Sequence, residues 1–146
     1  MPLYPAASDI IRKHLREIDF GRRVQISPIG RLTAAQLTSI NAGRSLQGLN
    51  HLIEEVVFVG GHIYKSRIRK DGYTIDDVID QIASAMAETA VVLDQIYLTM
   101  MENPRLRADR YGNMVRDRAI FECSTRHPRA ELFSVIPKGD RIKPPK

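Results

Sequence analysis

Apolar residues recur at the helical period near the start of the chain. Ile10, Ile11, Leu15 and Ile18 fall on one face, and Ser8 stands where it can cap a helix running through about Asp19. The stretch "GRRVQISPIG" interrupts that pattern. In "TAAQ", Thr33 and Gln36 have the spacing of a capping box, and Leu37 and Ile40 open the apolar face of a second helix that fades near Gly43 or Gly48. The pattern then changes to "EEVVFVGG", whose β-branched and aromatic residues predict a buried strand closing in a sharp bend at the two glycines. Residues 62–70 fit either an extension of that strand or a short helical turn. "DGYTIDD" supplies a turn and an N-cap at Thr74, with Asp76 and Asp77 in the first turn, where the helix dipole favours acids. Ile75, Val78, Ile79, Ile82, Ala83 and Met86 form the apolar stripe of the helix that follows.

The second half is patterned for strands. "TAVVLDQIYL", "AIFEC" and "LFSVI" predict three, the last two joined through "STRHPRAE" as an antiparallel hairpin. Alternation puts Ile120, Glu122 and Ser124 on one face and Phe121 and Cys123 on the other. Between the strands, "MMENPRLRADRYGNMVRDR" carries the turn signal Tyr111-Gly112-Asn113 and a concentration of arginines. Helices followed by consecutive strands argue for an α+β fold: N-terminal helices packed on a mainly antiparallel four-stranded sheet. A chain of 146 residues is the size of one domain, expected over residues 1–136, with residues 137–146 ("PKGDRIKPPK") a basic, proline-containing tail.

Composition narrows the classes. With 43% hydrophobic and 27% charged residues the chain is expected to be globular. Cys123 is the only cysteine, so no intramolecular disulfide or cysteine-based zinc cluster can form, and it is expected in a strand as a small hydrophobe. The apolar runs are far too short to cross a bilayer, and the N-terminus lacks a secretory h-region, which makes the cytoplasm the expected compartment and a membrane partner unexpected. Net charge is +5, and sixteen arginines outnumber six lysines. Arginine's planar fork binds phosphate in a bidentate way and stacks on bases, so the bias suits RNA or another phosphate partner; a solvated basic face is the plainer alternative.

Neither G-x-x-x-x-G-K-[ST], G-x-G-x-x-G nor H-E-x-x-H occurs, and His14, His51, His62 and His127 have no local ligand spacing, so no cofactor or metal is expected. Residues 34–52 resemble a helix-turn-helix in outline, but Gly48 would fall inside the recognition helix at a cost of about 1 kcal/mol, and a plain helical hairpin fits better. The segment "GGHIYKSRIRKDGYT", residues 60–74, concentrates chemistry-bearing side chains. Cutting RNA without a metal needs a base for the 2′-hydroxyl, an acid for the leaving 5′-oxygen and cations around the phosphorane. His62, Ser66 and Arg67 are of those types, and His62 and Ser66 share a side whether the segment is a strand or a helical turn. Glu122, in the apolar context "IFEC", is a carboxylate that needs a partner or a role. The competing explanation is that His62 ends a strand and the cations form a solvated face.

The order of helices, a strand leading to "GGHIYKSRIRKDGYT", a helix, and a terminal sheet ending in "ELFSVIPKGD" resembles the barnase/EndoU/colicin/RelE-type ribonuclease toxin fold. The resemblance covers roughly residues 50–140, with "HIYKSR" and "DGYT" as its motif-like parts. It implies a toxin-like, metal-independent ribonuclease in which His62 is the acid or base, Lys65 and Arg67 hold phosphate, and Ser134 helps to position it. Taken with the residues above, the expected site has His62, Ser66, Arg67 and Glu122 as catalytic candidates and Lys65, Arg69, Arg116, Ser134 and Lys138 as candidates for holding phosphate or RNA. It also implies a cognate antitoxin or immunity protein as a partner. Two other readings compete: a non-enzymatic nucleic-acid-binding or regulatory module using the same arginines, and a phage-derived or immunity-type protein whose basic face meets an acidic partner.

Overall fold

The computed structural model describes residues 2–23, 26–93, 99–122 and 128–139. Helix α1 (Ala7–Asp19) begins one residue before Ser8, so Ser8 is not its cap; no side chain caps it, and the Ala7 N–H is taken instead by the Tyr4 carbonyl, 2.9 Å away. Helix α2 (Ala34–Leu46) has the expected capping box, the Thr33 side chain accepting from the Gln36 N–H while the Gln36 side chain accepts from the Thr33 N–H. The same Gln36 amide donates to the Ala87 and Ala90 carbonyls, at 3.0 and 3.1 Å, fixing α2 against the end of the next helical layer. α2 passes through Gly43 and stops where Gly48 adopts φ +71°, a left-handed conformation that glycine takes without strain. No helix follows before residue 54, so neither the helix-turn-helix nor the helical hairpin forms.

Strands β1 (Ser27–Arg31), β2 (Glu55–Phe58), β3 (Val91–Leu93), β4 (Thr99–Glu102), β5 (Arg107–Ala108), β6 (Met114–Glu122) and β7 (Ala130–Gly139) form one mixed, mostly antiparallel sheet. Their order is β1-β2-β7-β6-β4-β3, with β5 pairing β6; β2 and β7 alone among these pairs run parallel. The molecule is thus a single α+β domain with seven strands in place of the four expected. β1 escaped the sequence reading because Pro28 and Gly30 look like breakers, yet an edge strand tolerates proline. β5 is two residues long, too short to leave a periodic signal. β7 also runs through Pro137 to Gly139, into the segment expected to be tail; Pro137 lies beyond Leu132, the last β7 residue paired with β2, where β7 has one neighbour only. Cys123, residues 124–127 and residues 140–146 lie outside the described residues, as do residues 94–98 of "TAVVLDQIYL".

Helix α4 (Ile75–Ala85) starts at a second capping box, Thr74 with Asp77, and buries Val78, Ile79, Ile82 and Ala85. Ala83 faces solvent, and Gln81, on the other side of Ile82, is buried in its stead. One buried cluster joins Ile11, Leu15, Ile40, Ile63, Val78 and Ile82 to one face of the sheet, through Val56, Phe58, Met101, Ala119, Phe121, Leu132 and Val135. Each such large side chain contributes about 1.5–3 kcal/mol when fully buried. Val57, Met100, Ile120 and Ile136 take the alternate positions and stand outside that cluster. No helix among the described residues is long and apolar enough to cross a membrane.

Candidate functional site

The segment after β2 is helical. Gly60 takes an ordinary right-handed backbone conformation, so it is not required for a special turn; it is required for space. A Cβ there would lie 2.8 Å from the Phe58 ring, 2.9 Å from the His14 ring and 3.2 Å from Ile18. Close packing of α1 on this point leads directly into α3 (Gly61–Ile63), which continues as a π-helical segment, Tyr64–Lys70. π-helical turns are uncommon and occur often at functional sites. Ile63 is fully buried and Tyr64 and Ile68 pack beside the core, which turns Lys65, Arg69 and Lys70 to solvent.

Both ends of the segment are pinned by tyrosines. The Tyr64 hydroxyl donates to Asp19 at the end of α1, and the Tyr111 hydroxyl donates to the Asp71 carbonyl at 3.0 Å. Behind Tyr111, the Tyr73 hydroxyl donates to Asp109 at 2.9 Å. Burial and this carboxylate together push the Tyr73 phenol far above its ordinary pKa, so it stays protonated as a structural donor. Burial raises the Asp109 carboxyl, but hydrogen bonds from the Asn113 N–H, the Tyr73 hydroxyl and the Tyr111 N–H outweigh it and hold the group below its ordinary value.

The expected pair is formed: Ser66 Oγ lies 3.3 Å from His62 Nε2, and both residues reach the surface. The His62 ring is stacked on Phe133, centroids 4.7 Å apart and planes at 15°. Phe133 is a residue the sequence reading passed over. The register of β6 on β7 shifts between Ile120, opposite Ser134, and Phe121, opposite Leu132, so Phe133 is an unpaired bulge residue. Bulges re-aim side chains. The signal was present in "LFSVI", where two adjacent apolar residues precede Ser134 and break strict alternation.

The other expected site residues are placed elsewhere. Arg67 is turned inward, its side chain 15% exposed and 3.2 Å from Asp71. Ser134 is buried in the sheet at 2% exposure. Arg116 lies on β6, its Nε donating to the Pro104 carbonyl at 3.2 Å, with Lys138 opposite it on β7. Glu122 ends β6, exposed, with Glu131 opposite. Glu122 lies six residue steps along β6 from Arg116, about 20 Å, so one phosphate cannot meet both. His62 stands near the Glu122 end, across β7 from it.

A groove of about 400 Å³ runs along α2, lined by Leu37, Thr38, Asn41, Ala42, Ser45 and His51, with Ser45 Oγ 2.6 Å from His51 Nε2. Among the described residues no cluster of three or more His, Cys, Asp or Glu could hold a metal ion. Comparison of the chain with protein-family models, with curated proteins and with solved structures finds no match.

Proposed function

We propose that the protein binds RNA through the outer face of residues 61–70. The observation that carries this reading is the set of exposed cations Lys65, Arg69 and Lys70 beside the stacked rings of His62 and Phe133. No ion pair with an acid involves these three among the described residues, so their charge is available to phosphate. The opposite face of the sheet is a weaker candidate on charge: Arg116, Arg118 and Lys138 stand there against Glu102, Glu122 and Glu131, and Arg118 is already paired with Glu102 at 2.9 Å. Phosphate contacts by cations make affinity fall steeply with salt, which net charge at a neutralised face does not.

A second reading is metal-independent cleavage at the same place, the ribonuclease activity that the family resemblance implies. The His62 and Ser66 contact favours it, since His62 is a surface imidazole held in orientation by Phe133 and a hydroxyl. Acid-base cleavage asks for a second proton-transfer group within reach of the same phosphate, and Glu122 is the candidate at that end of the sheet. Binding is placed first because it requires only the cations and rings already assembled.

The test is incubation of the purified protein with total RNA and with tRNA in EDTA, beside His62→Ala, read on a denaturing and on a native gel. Retarded but intact RNA supports the binding module. Cleavage that disappears in His62→Ala supports the ribonuclease. RNA neither retarded nor cut at low salt overturns both.

A further inference from the structure

Phe20 is the most exposed aromatic side chain among the described residues, at 69%. It sits in the C-cap of α1, next in sequence to Asp19, which accepts the Tyr64 hydroxyl bond from the π-helical segment. Ile18 and His14 of the same helix crowd Gly60. Phe20 therefore borders the face assigned above to RNA. An isolated exposed phenylalanine is a liability, yet this one is equipped. The Arg22 guanidinium lies 5.5 Å from its ring centroid, and Glu17 holds that guanidinium at 3.4 Å. One side of the ring thus carries a cation at cation-π range, and the ring as a whole stays open to solvent.

A flat, exposed ring flanked by a guanidinium and bordering a cationic ridge is what an unpaired base requires. Every base has a π-face to stack, whereas in a duplex that face is occupied by its neighbours. The stacked His62 and Phe133 pair offers a second such surface on the same ridge. We propose that Phe20 is a stacking platform for an unpaired base, and that the RNA taken by this protein is single-stranded. The proposal rests on the RNA-binding reading above and adds the class of substrate to it.

The experiment is fluorescence anisotropy with a short labelled oligoadenylate and with the same strand annealed to its complement. Wild type, Phe20→Ala and the double variant Lys65→Ala/Arg69→Ala are compared, the variants being at exposed positions that leave the core intact. Wild type should prefer the single strand. Phe20→Ala should weaken single-strand binding by roughly five- to a hundredfold and leave duplex binding unchanged, while the double variant weakens both. If Phe20→Ala holds the single strand as tightly as wild type while the double variant loses it, the platform is wrong and the RNA-binding reading stands. If wild type binds the duplex as tightly as the single strand, the assignment of substrate is wrong. If wild type retains neither at low salt, both readings fall together.

Discussion

Gly60 donates its backbone N–H to Nε2 of His14, 3.3 Å away, at the step from β2 into α3. The bond requires an unprotonated Nε2, so the imidazole is neutral with its proton on Nδ1, which is buried and has no hydrogen-bond partner among the described residues. Burial lowers the pKa of His14, whereas in the unfolded chain it titrates near 6.5. A group whose folded pKa is depressed gives its full stabilisation above the unfolded value. That stabilisation drains away as pH falls from about 6.5 through the folded pKa, because the unfolded chain then binds the extra proton. The urea midpoint should therefore decline below about pH 6.5, and His14→Gln should flatten that decline. An equal decline in the variant would move its origin to other groups.

The space at Gly60 gives a second prediction. A methyl group there meets Phe58 and His14 at under 3 Å, both of them packed ring atoms with little room to retreat. Gly60→Ala should cost about 1–3 kcal/mol in urea denaturation, the range for overpacking a filled core. The neighbouring Gly61→Ala meets nothing within 4 Å and stands in a helix. It should be neutral or stabilising by up to about 1 kcal/mol. Equal losses at the two positions would mean that crowding by Phe58 and His14 does not set the cost at Gly60.

These packing relationships mark the boundary of what the sequence discloses. Helices α2 and α4 were legible because their caps are local: Thr33 with Gln36 and Thr74 with Asp77 each satisfy backbone donors within one turn. The pairing of His62 with Ser66 was legible for the same reason, being a contact between neighbouring turns. The start of α1 was misread because its first donor is met by the Tyr4 carbonyl, held in place by a bridge from Leu3 to Gly30 that no local pattern announces. The burial of Ser134 and the stacking of Phe133 on His62 depend on how β6 and β7 align, and a one-residue register shift leaves only a faint trace in composition; the inward turn of Arg67 follows from its own helical segment, where it pairs with Asp71. Lys65, Arg69 and Lys70 share one surface because the chain is helical there, the alternative the sequence left open.

The pair that secures β5 to β6 is the third test. Asp117 is fully buried, and Arg107 engages it through Nε and, at 2.8 Å, through Nη2. This hydrogen bond to Asp117 is the main reason the Arg107 guanidinium holds its proton more tightly than usual. Removing Arg107 leaves a carboxylate in the interior without its counter-charge, so Arg107→Ala should destabilise by about 3 kcal/mol, the low end for breaking a buried pair because Arg107 itself is 29% exposed. Arg31→Ala, whose pair with Glu54 lies in solvent, should leave the urea midpoint unchanged. A small loss for Arg107→Ala would indicate that water reaches Asp117.

Salt dependence separates the two faces on which RNA could lie. Each phosphate neutralised by a cation on a single strand contributes about 0.7 to the slope of log affinity against log salt. If residues 61–70 make the contact, Lys65→Ala/Arg69→Ala should lower the magnitude of that slope by about 1.4, and Arg116→Ala should leave it unaltered. The measurement is anisotropy across a salt series with the labelled single strand. A slope that drops for Arg116→Ala and Lys138→Ala, but not for the double variant, would place the strand on the sheet face that carries Arg116 and Lys138. The mixed charges there would then have to be read as a track in which Glu102, Glu122 and Glu131 limit affinity and the arginines set register.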